Sequence, residues 1–134
     1  MTLDVVTTSN YETVCYSNIY TILSSNTSKL GVTSTYSLNT KIPVVVIQEE
    51  YTDTKLNTGD NVVNCVVELT VMGKTITDVA NYSSEIRSLM DSSKGDLHNA
   101  NMDFKHQTVS MILPLERGDQ RVHFRRLMYT YVIK

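Results

Sequence analysis

The stretch "NVVNCVVELTVMG", residues 61–73, decides the fold. Its odd positions, Val63, Cys65, Val67, Leu69 and Val71, are all apolar. The even positions mix Asn64, Glu68 and Thr70 with Val62, Val66 and Met72. Side chains alternate across a strand with a period of two, so the odd set makes one continuous apolar face. A slip of one residue would turn that whole face to water, and the register is therefore strongly specified. A strand of this kind belongs to a sheet whose apolar face is covered by another layer.

Upstream, "KIPVVVIQEEY", residues 41–51, carries a run of β-branched residues. It predicts a strand covered on both faces, with Pro43 near its start or on an edge because proline has no N–H for the ladder. The polar segment "TDTKLNTGDN", residues 52–61, contains Gly59-Asp60 and predicts the hairpin loop between the two strands. "VTSTYSL", residues 32–38, is a weaker strand candidate. Before it, "SNYETVCYSNIYTILSSN" places Ser9 and Glu12 at capping-box spacing and aligns Tyr11, Cys15, Ile19, Ile22 and Leu23 on one helical face. Gly31 marks the expected end of that helical region, and residues 1–9 form an N-terminal tail.

Downstream, Thr75 and Asp78 repeat the capping-box spacing, and Val79, Tyr82, Ile86, Leu89 and Met90 make a second helical stripe that ends near Lys94-Gly95. "DLHNANMD" reads as a polar connector. "FKHQTVSMILPL" predicts one strand, with Val109, Met111, Leu113 and Leu115 on one face. "QRVHFRRLMYTYVIK" predicts another, with Val122, Phe124 and Met128 on one side and Leu127, Tyr129, Tyr131 and Ile133 on the other. Glu116 to Gln120 is short enough for a hairpin turn with Gly118 at positive φ. The expected fold is α+β: a single domain over residues 1–134, in the order α-β-β-β-α-β-β, with an antiparallel-rich sheet and two helices packed on one side.

The 134 residues carry 12 basic and 14 acidic side chains, a net charge of −2, which gives no overall pull toward nucleic acid or an anionic membrane. No apolar run is long enough to span a bilayer, and the N-terminal residues lack the basic start and apolar block of a secretory signal. Cys15 and Cys65 have no metal or redox spacing and fall on core-facing stripes, so both are expected as buried free thiols of a reducing compartment.

Chemistry is sparse. Asp96, His98, Asp103 and His106 lie close in sequence but match no metal-ligand pattern, and no metal or cofactor is expected. There is no Gly-rich phosphate loop, and the core position of both cysteines argues against a Cys–His nucleophile. Adjacent Glu49 and Glu50 point to opposite faces of a strand and cannot act as a carboxylate pair. Arg117, Arg121, Arg125 and Arg126 cluster near the end of the chain. Arg121 and Arg125 share a face with His123, and Tyr129 and Tyr131 extend it with aromatic surface, as a single-strand binder would require. A solvated strand face whose arginine stems cover apolar surface explains the same stripe. Arg117-Gly118-Asp119 has an adhesion-type sequence, but the turn accounts for it fully.

The order of elements carries more information than any motif. A leading helix, the strand "IPVVVIQ", a polar hairpin loop, the long strand "NCVVELTVMG", a helix opened by "KTITDVANYSSEIRSLM" and two closing strands with the arginine-rich "RVHFRRLMYTYVI" follow one another. From about residue 10 to 134 this resembles the tail terminator, or tail-completion, family of tailed bacteriophages and related contractile particles. The resemblance implies a non-enzymatic virion protein of the tail or neck, assembled in the host cytoplasm. It implies a homo-oligomeric ring, hexameric in that family, that caps the tail tube protein, stops its polymerisation and meets the head connector and, in contractile particles, the sheath. Genomic DNA would only pass through the lumen, and no membrane is involved. In such a ring "EEYTDTKLNTGDN" and "ERGDQ" would be contact elements, which assigns Glu49, Glu50, Tyr51, Asp53, Lys55, Asp60, Arg117, Asp119 and Arg121 to inter-subunit or lumen-facing positions. The alternatives are another neck, head–tail joining or tube component and, from a different class, a small cytosolic module binding nucleic acid or anions through the Arg121–Arg125 face.

Overall fold

The computed structural model describes residues 2–134. The chain runs α1 (Tyr11–Leu23), β1 (Gly31–Thr33), β2 (Val44–Lys55), β3 (Asn61–Gly73), α2 (Ile76–Ser92), α3 (Lys94–Asn99), β4 (Asp103–Val109), β5 (Leu113–Arg117) and β6 (Gln120–Ile133). The fold is α+β. One six-stranded sheet has the order β1-β2-β3-β6-β4, with β5 also paired to β6. Only β1 and β2 run parallel; the other pairings are antiparallel.

The odd face of β3 is where its alternation predicts. Val63, Cys65, Val67, Leu69 and Val71 are fully buried, opposite Ile133, Tyr131, Tyr129, Leu127 and Arg125 of β6. Cys15, Ile19, Ile22 and Leu23 of α1, Ile86 and Met90 of α2, and Leu97 of α3 close over this face. Tyr129 and Tyr131 therefore lie in the core, and the aromatic surface expected beside the arginines does not exist. Burial raises both phenol pKa values above the usual range. Tyr129 Oη accepts a 3.0 Å bond from Gln107 Nε2.

A second, smaller cluster lies on the opposite face. Val44, Val46, Met72 and Val122 are buried there, with Ile42, Leu115 and Phe124 packed against them. The start of β2 is thus covered on both sides, as its β-branched run predicts: Val45 and Ile47 enter the main core, and Val44 and Val46 enter the second. A cis Ile42–Pro43 peptide leads into it.

The helix starts divide. Thr75 Oγ1 accepts from Asp78 N at 3.0 Å, as the sequence spacing predicts, and α2 follows. Helix α1 starts one residue later than Ser9 would place it. Asn10 precedes the first turn, and neither Ser9 nor Asn10 caps it with a side chain. The Asn10 carboxamide instead accepts from Thr7 N at 2.7 Å, and Ser9 N donates to Thr7 Oγ1 at 3.3 Å, so these groups serve the preceding turn. Gly31 does not end a helix. It opens β1, and its N–H donates to Pro43 O at 3.2 Å. Of the expected strand over 32–38, only residues up to Thr33 pair.

Two further expectations fail for physical reasons. Lys94-Gly95 does not end the helical region, because a short third helix runs through it and drives Leu97 into the core. The expected single strand over 104–115 is two strands on successive lengths of β6, broken at residues 110–112. At the break Ser110 N donates to Arg126 O at 3.0 Å, and Arg126 N donates to Ser110 Oγ at 2.9 Å. Met111 is 70% exposed, and Val109 and Leu113 are exposed too, so the apparent alternation seals no face.

Of the tail expected over 1–9, residue 1 lies outside the described residues, and the rest is anchored. Val6 is fully buried and its N–H donates to Ala100 O at 2.9 Å. Asn18 exchanges bonds with the Asp4 backbone at 3.0 and 2.8 Å. Asn101, at φ +68°, donates from one carboxamide nitrogen to Val6 O at 2.9 Å and to Lys134 O at 2.8 Å.

Candidate functional site

The sheet ends in two strand edges of different chemistry. On one side β1 pairs only Val44, Val45 and Val46 of β2. From Ile47 to Lys55, β2 pairs with β3 alone, and among the described residues no strand lies along its outer side. On the other side β4 and β5 pair only with β6. An edge strand presents a row of unpaired N–H and C=O groups, which is a template for another chain.

The β2 edge is acidic. Glu49, Tyr51 and Asp53 occupy its helix-covered side, facing α1. The Tyr51 ring packs on Tyr11 at 5.0 Å between centroids, and its hydroxyl lies 3.4 Å from Glu12 O. Tyr11 donates to Asp53 Oδ2 at 3.3 Å. The Tyr51 hydroxyl also donates to Glu49 Oε2, while Glu49 Oε1 is buried without a hydrogen-bond partner. Burial pushes the Glu49 carboxyl up to about 7. Glu50 is exposed on the other face. A hollow of about 670 Å³ wraps this edge, with Glu12, Glu49, Glu50 and Glu68 but no lysine or arginine along its walls.

The β4 edge is mildly basic. Lys105 and His106 are exposed, and the carboxylate of Asp103 is held by His98 Nδ1 at 2.6 Å. His106 Nε2 lies 3.4 Å from Thr130 Oγ1, away from that pair. Among the described residues no three His, Cys, Asp or Glu side chains converge as a metal would require. No helix among them is long and apolar enough to cross a membrane.

Most of the contact residues expected on a loop stand on strand. Glu49, Glu50, Tyr51, Asp53 and Lys55 all belong to β2, and the connecting turn is confined to residues 56–60. Gly59 takes φ +90° there, and Asp60 accepts from Thr58 Oγ1 at 3.2 Å. Arg117, Asp119 and Arg121 lie at the opposite end of the sheet. Register carries Lys55 to Asn61 at one end, and Val44 through Met72 to Phe124 at the other. At roughly 3.3 Å per residue Lys55 and Asp60 stand about 30 Å or more from that end, and Glu49, level with Tyr129, stands nearer the middle of the sheet.

The turn itself is Gly118-Asp119, with Gly118 at φ +59°, as primed hairpin turns require. Arg117 does not project from it. It is 7% exposed and clasps the loop before β2, donating from Nε and Nη2 to Leu38 O at 3.1 and 2.8 Å and from Nη2 to Thr40 O. Its guanidinium also stacks on Tyr36. Arg121 is free by comparison, 67% exposed with a 3.5 Å contact to Glu116. Arg125 turns under α2 and donates to Ser83 Oγ at 3.2 Å. Arg126 pairs with Glu68 at 3.2 Å on the uncovered face. The arginines therefore diverge and form no continuous basic stripe.

Sequence reasoning missed the open β2 edge because "TDTK" has the polarity of a loop. A signal was present: Tyr51 and Asp53 continue the odd alternation of Val45, Ile47 and Glu49. Cys15 and Cys65 are free and buried, as expected. The Cys15 thiol beside Cys65, together with burial, raises the Cys65 pKa far above its usual range. No family model and no curated protein matches the chain.

Proposed function

We propose that the chain is a structural subunit that closes into a ring by repeating one head-to-tail contact, in the manner of a tail terminator. The reading is carried by one observation: a single sheet with two open edges of unequal character, acidic along Ile47–Lys55 of β2 and uncharged to basic along β4. Unlike edges meet as a heterologous interface, and such interfaces close into rings when the rotation per subunit divides the circle. The long β2–β3 and β5–β6 hairpins put polar turns at opposite ends of the sheet, suited to two different neighbours along a ring axis: tube on one side, connector on the other. In this reading Glu50, Lys55 and Asp60 serve one end and Asp119 and Arg121 the other, while Arg117 shapes its end from within.

Mass photometry and negative-stain electron microscopy of the purified chain, alone and with tail tubes, test the proposal. Rings, or a cap at one end of the tube, are the expected result. A chain that stays monomeric in both settings defeats it. Decoration along the tube, or at the end distal to the head, would reassign it to another tube or neck component.

A further inference from the structure

A half-buried carboxylate with one oxygen unsatisfied costs free energy unless something reaches it. Glu49 Oε1 is such an atom, and it belongs to a strand whose outer side is open. The groups around it supply no cation. Helix α1 presents Glu12, Tyr11, Tyr16 and Cys15; β3 presents Cys65 and, across the edge, Glu68; β2 itself presents Tyr51, Asp53 and Glu50. The Tyr51 hydroxyl holds Oε2 and leaves Oε1 enclosed with no donor, so a cation meets it only when the carboxylate turns toward the open edge. On the same chain the β4 edge carries Lys105, exposed and without an ion pair among the described residues, and its only acid is already taken by His98. The free length of β2, residues 47–55, is long enough to take the whole of Asp103–Val109, whose register shift between Phe104 and His106 sets Lys105 out of the regular pairing with β6.

We infer that the β2 edge receives the β4 edge of a second copy, and that the Glu49 carboxylate turns outward there to meet Lys105 of that copy. This rests on the ring reading and gives its contact a chemistry. A donor arriving there favours the ionised carboxylate, so each contact formed releases a proton from the fraction of Glu49 still protonated. Burial holds that carboxyl near 7 in the isolated chain, so the release falls in the neutral range. Association strengthens as pH rises to 7 and weakens below it.

Sedimentation velocity of the full chain from pH 5.5 to 8.5 at constant salt reads this directly, for wild type, Glu49→Gln, Lys105→Gln and the double variant. Lys105 is exposed, so its substitution leaves the fold intact. The expected result is a wild-type association constant that falls by up to about tenfold per pH unit below 7. Either single variant should flatten that dependence and weaken association at pH 8, and the double variant should be no weaker than the singles. If wild type assembles equally at all pH values, or if both variants keep its pH dependence, the inference fails while the ring reading stands. A chain monomeric throughout removes both.

Discussion

The central strand β3 and the outer strand β2 lie side by side with nearly the same length, yet they are different kinds of strand. Every odd residue of β3 from Val63 to Val71 is fully buried, flanked by β2 and β6 and roofed by helices. In β2 the burial stops after Ile47, and the same helix-facing row continues as Glu49, Tyr51 and Asp53. The change coincides with the end of β1. While β1 runs alongside, β2 is built as core; once it stops, β2 becomes polar. Hydrophobic sealing follows the number of neighbours a strand has, and polar and titratable side chains collect where a neighbour is missing.

The comparison breaks most decisively at Leu69. Leu69→Ala should cost about 2–5 kcal/mol, read as a lower urea midpoint at unchanged slope, because it opens a void in a core closed on all sides. A cost under about 1 kcal/mol would mean that the roof over β3 is loose. Next is Arg117→Ala, which strips the Leu38 and Thr40 carbonyls of their charged donor. A loss of about 1.5–3 kcal/mol is expected, together with faster proteolysis in the 36–40 loop. If thermal melts leave that variant at wild-type stability, the clasp holds nothing.

Glu49→Gln sharpens the comparison with a sign. The folded state holds the Glu49 proton more tightly than the unfolded chain, so its contribution to stability is complete below the unfolded carboxylate range and disappears as pH rises through about 7. The neutral amide escapes that loss. At concentrations where the chain is dissociated, its melting temperature should exceed that of wild type above pH 7 and match it near pH 4. The reverse order would show that the carboxylate is well solvated. Arg121→Ala should be the smallest effect, within about 0.5 kcal/mol, since both the arginine and its Glu116 partner are largely exposed.

How much of this was legible follows from the same physics. Burial writes a period into sequence, so the apolar rows of β3 and β6, the second helix with its Thr75 cap, and the turn at Gly118 could all be read. Structure held by backbone pairing alone leaves no such mark. The distal half of β2 looks like a loop because its exposed positions carry loop residues. The six-residue α3 is too short to show a repeat. The break at Ser110–Ile112 is hidden because apolar residues alternate straight through it. Arg117 misled for the opposite reason: an arginine next to a turn is ordinarily solvated, and only the folded chain brings two loop carbonyls to meet it. The candidate site was the least legible, since the strand setting of the residues named and the unsatisfied oxygen of Glu49 are properties of the assembled sheet.

Asn101 carries a practical consequence. Its carboxamide touches the backbone at Val6 and at Lys134, so residues 6 and 134 sit within one side chain of each other. That corner lies beside the Asn61 end of β3, where Asn61 and Lys134 line one hollow. A short linker across that corner, with a new opening cut at the exposed 56–60 turn, should yield a circular permutant that keeps the sheet.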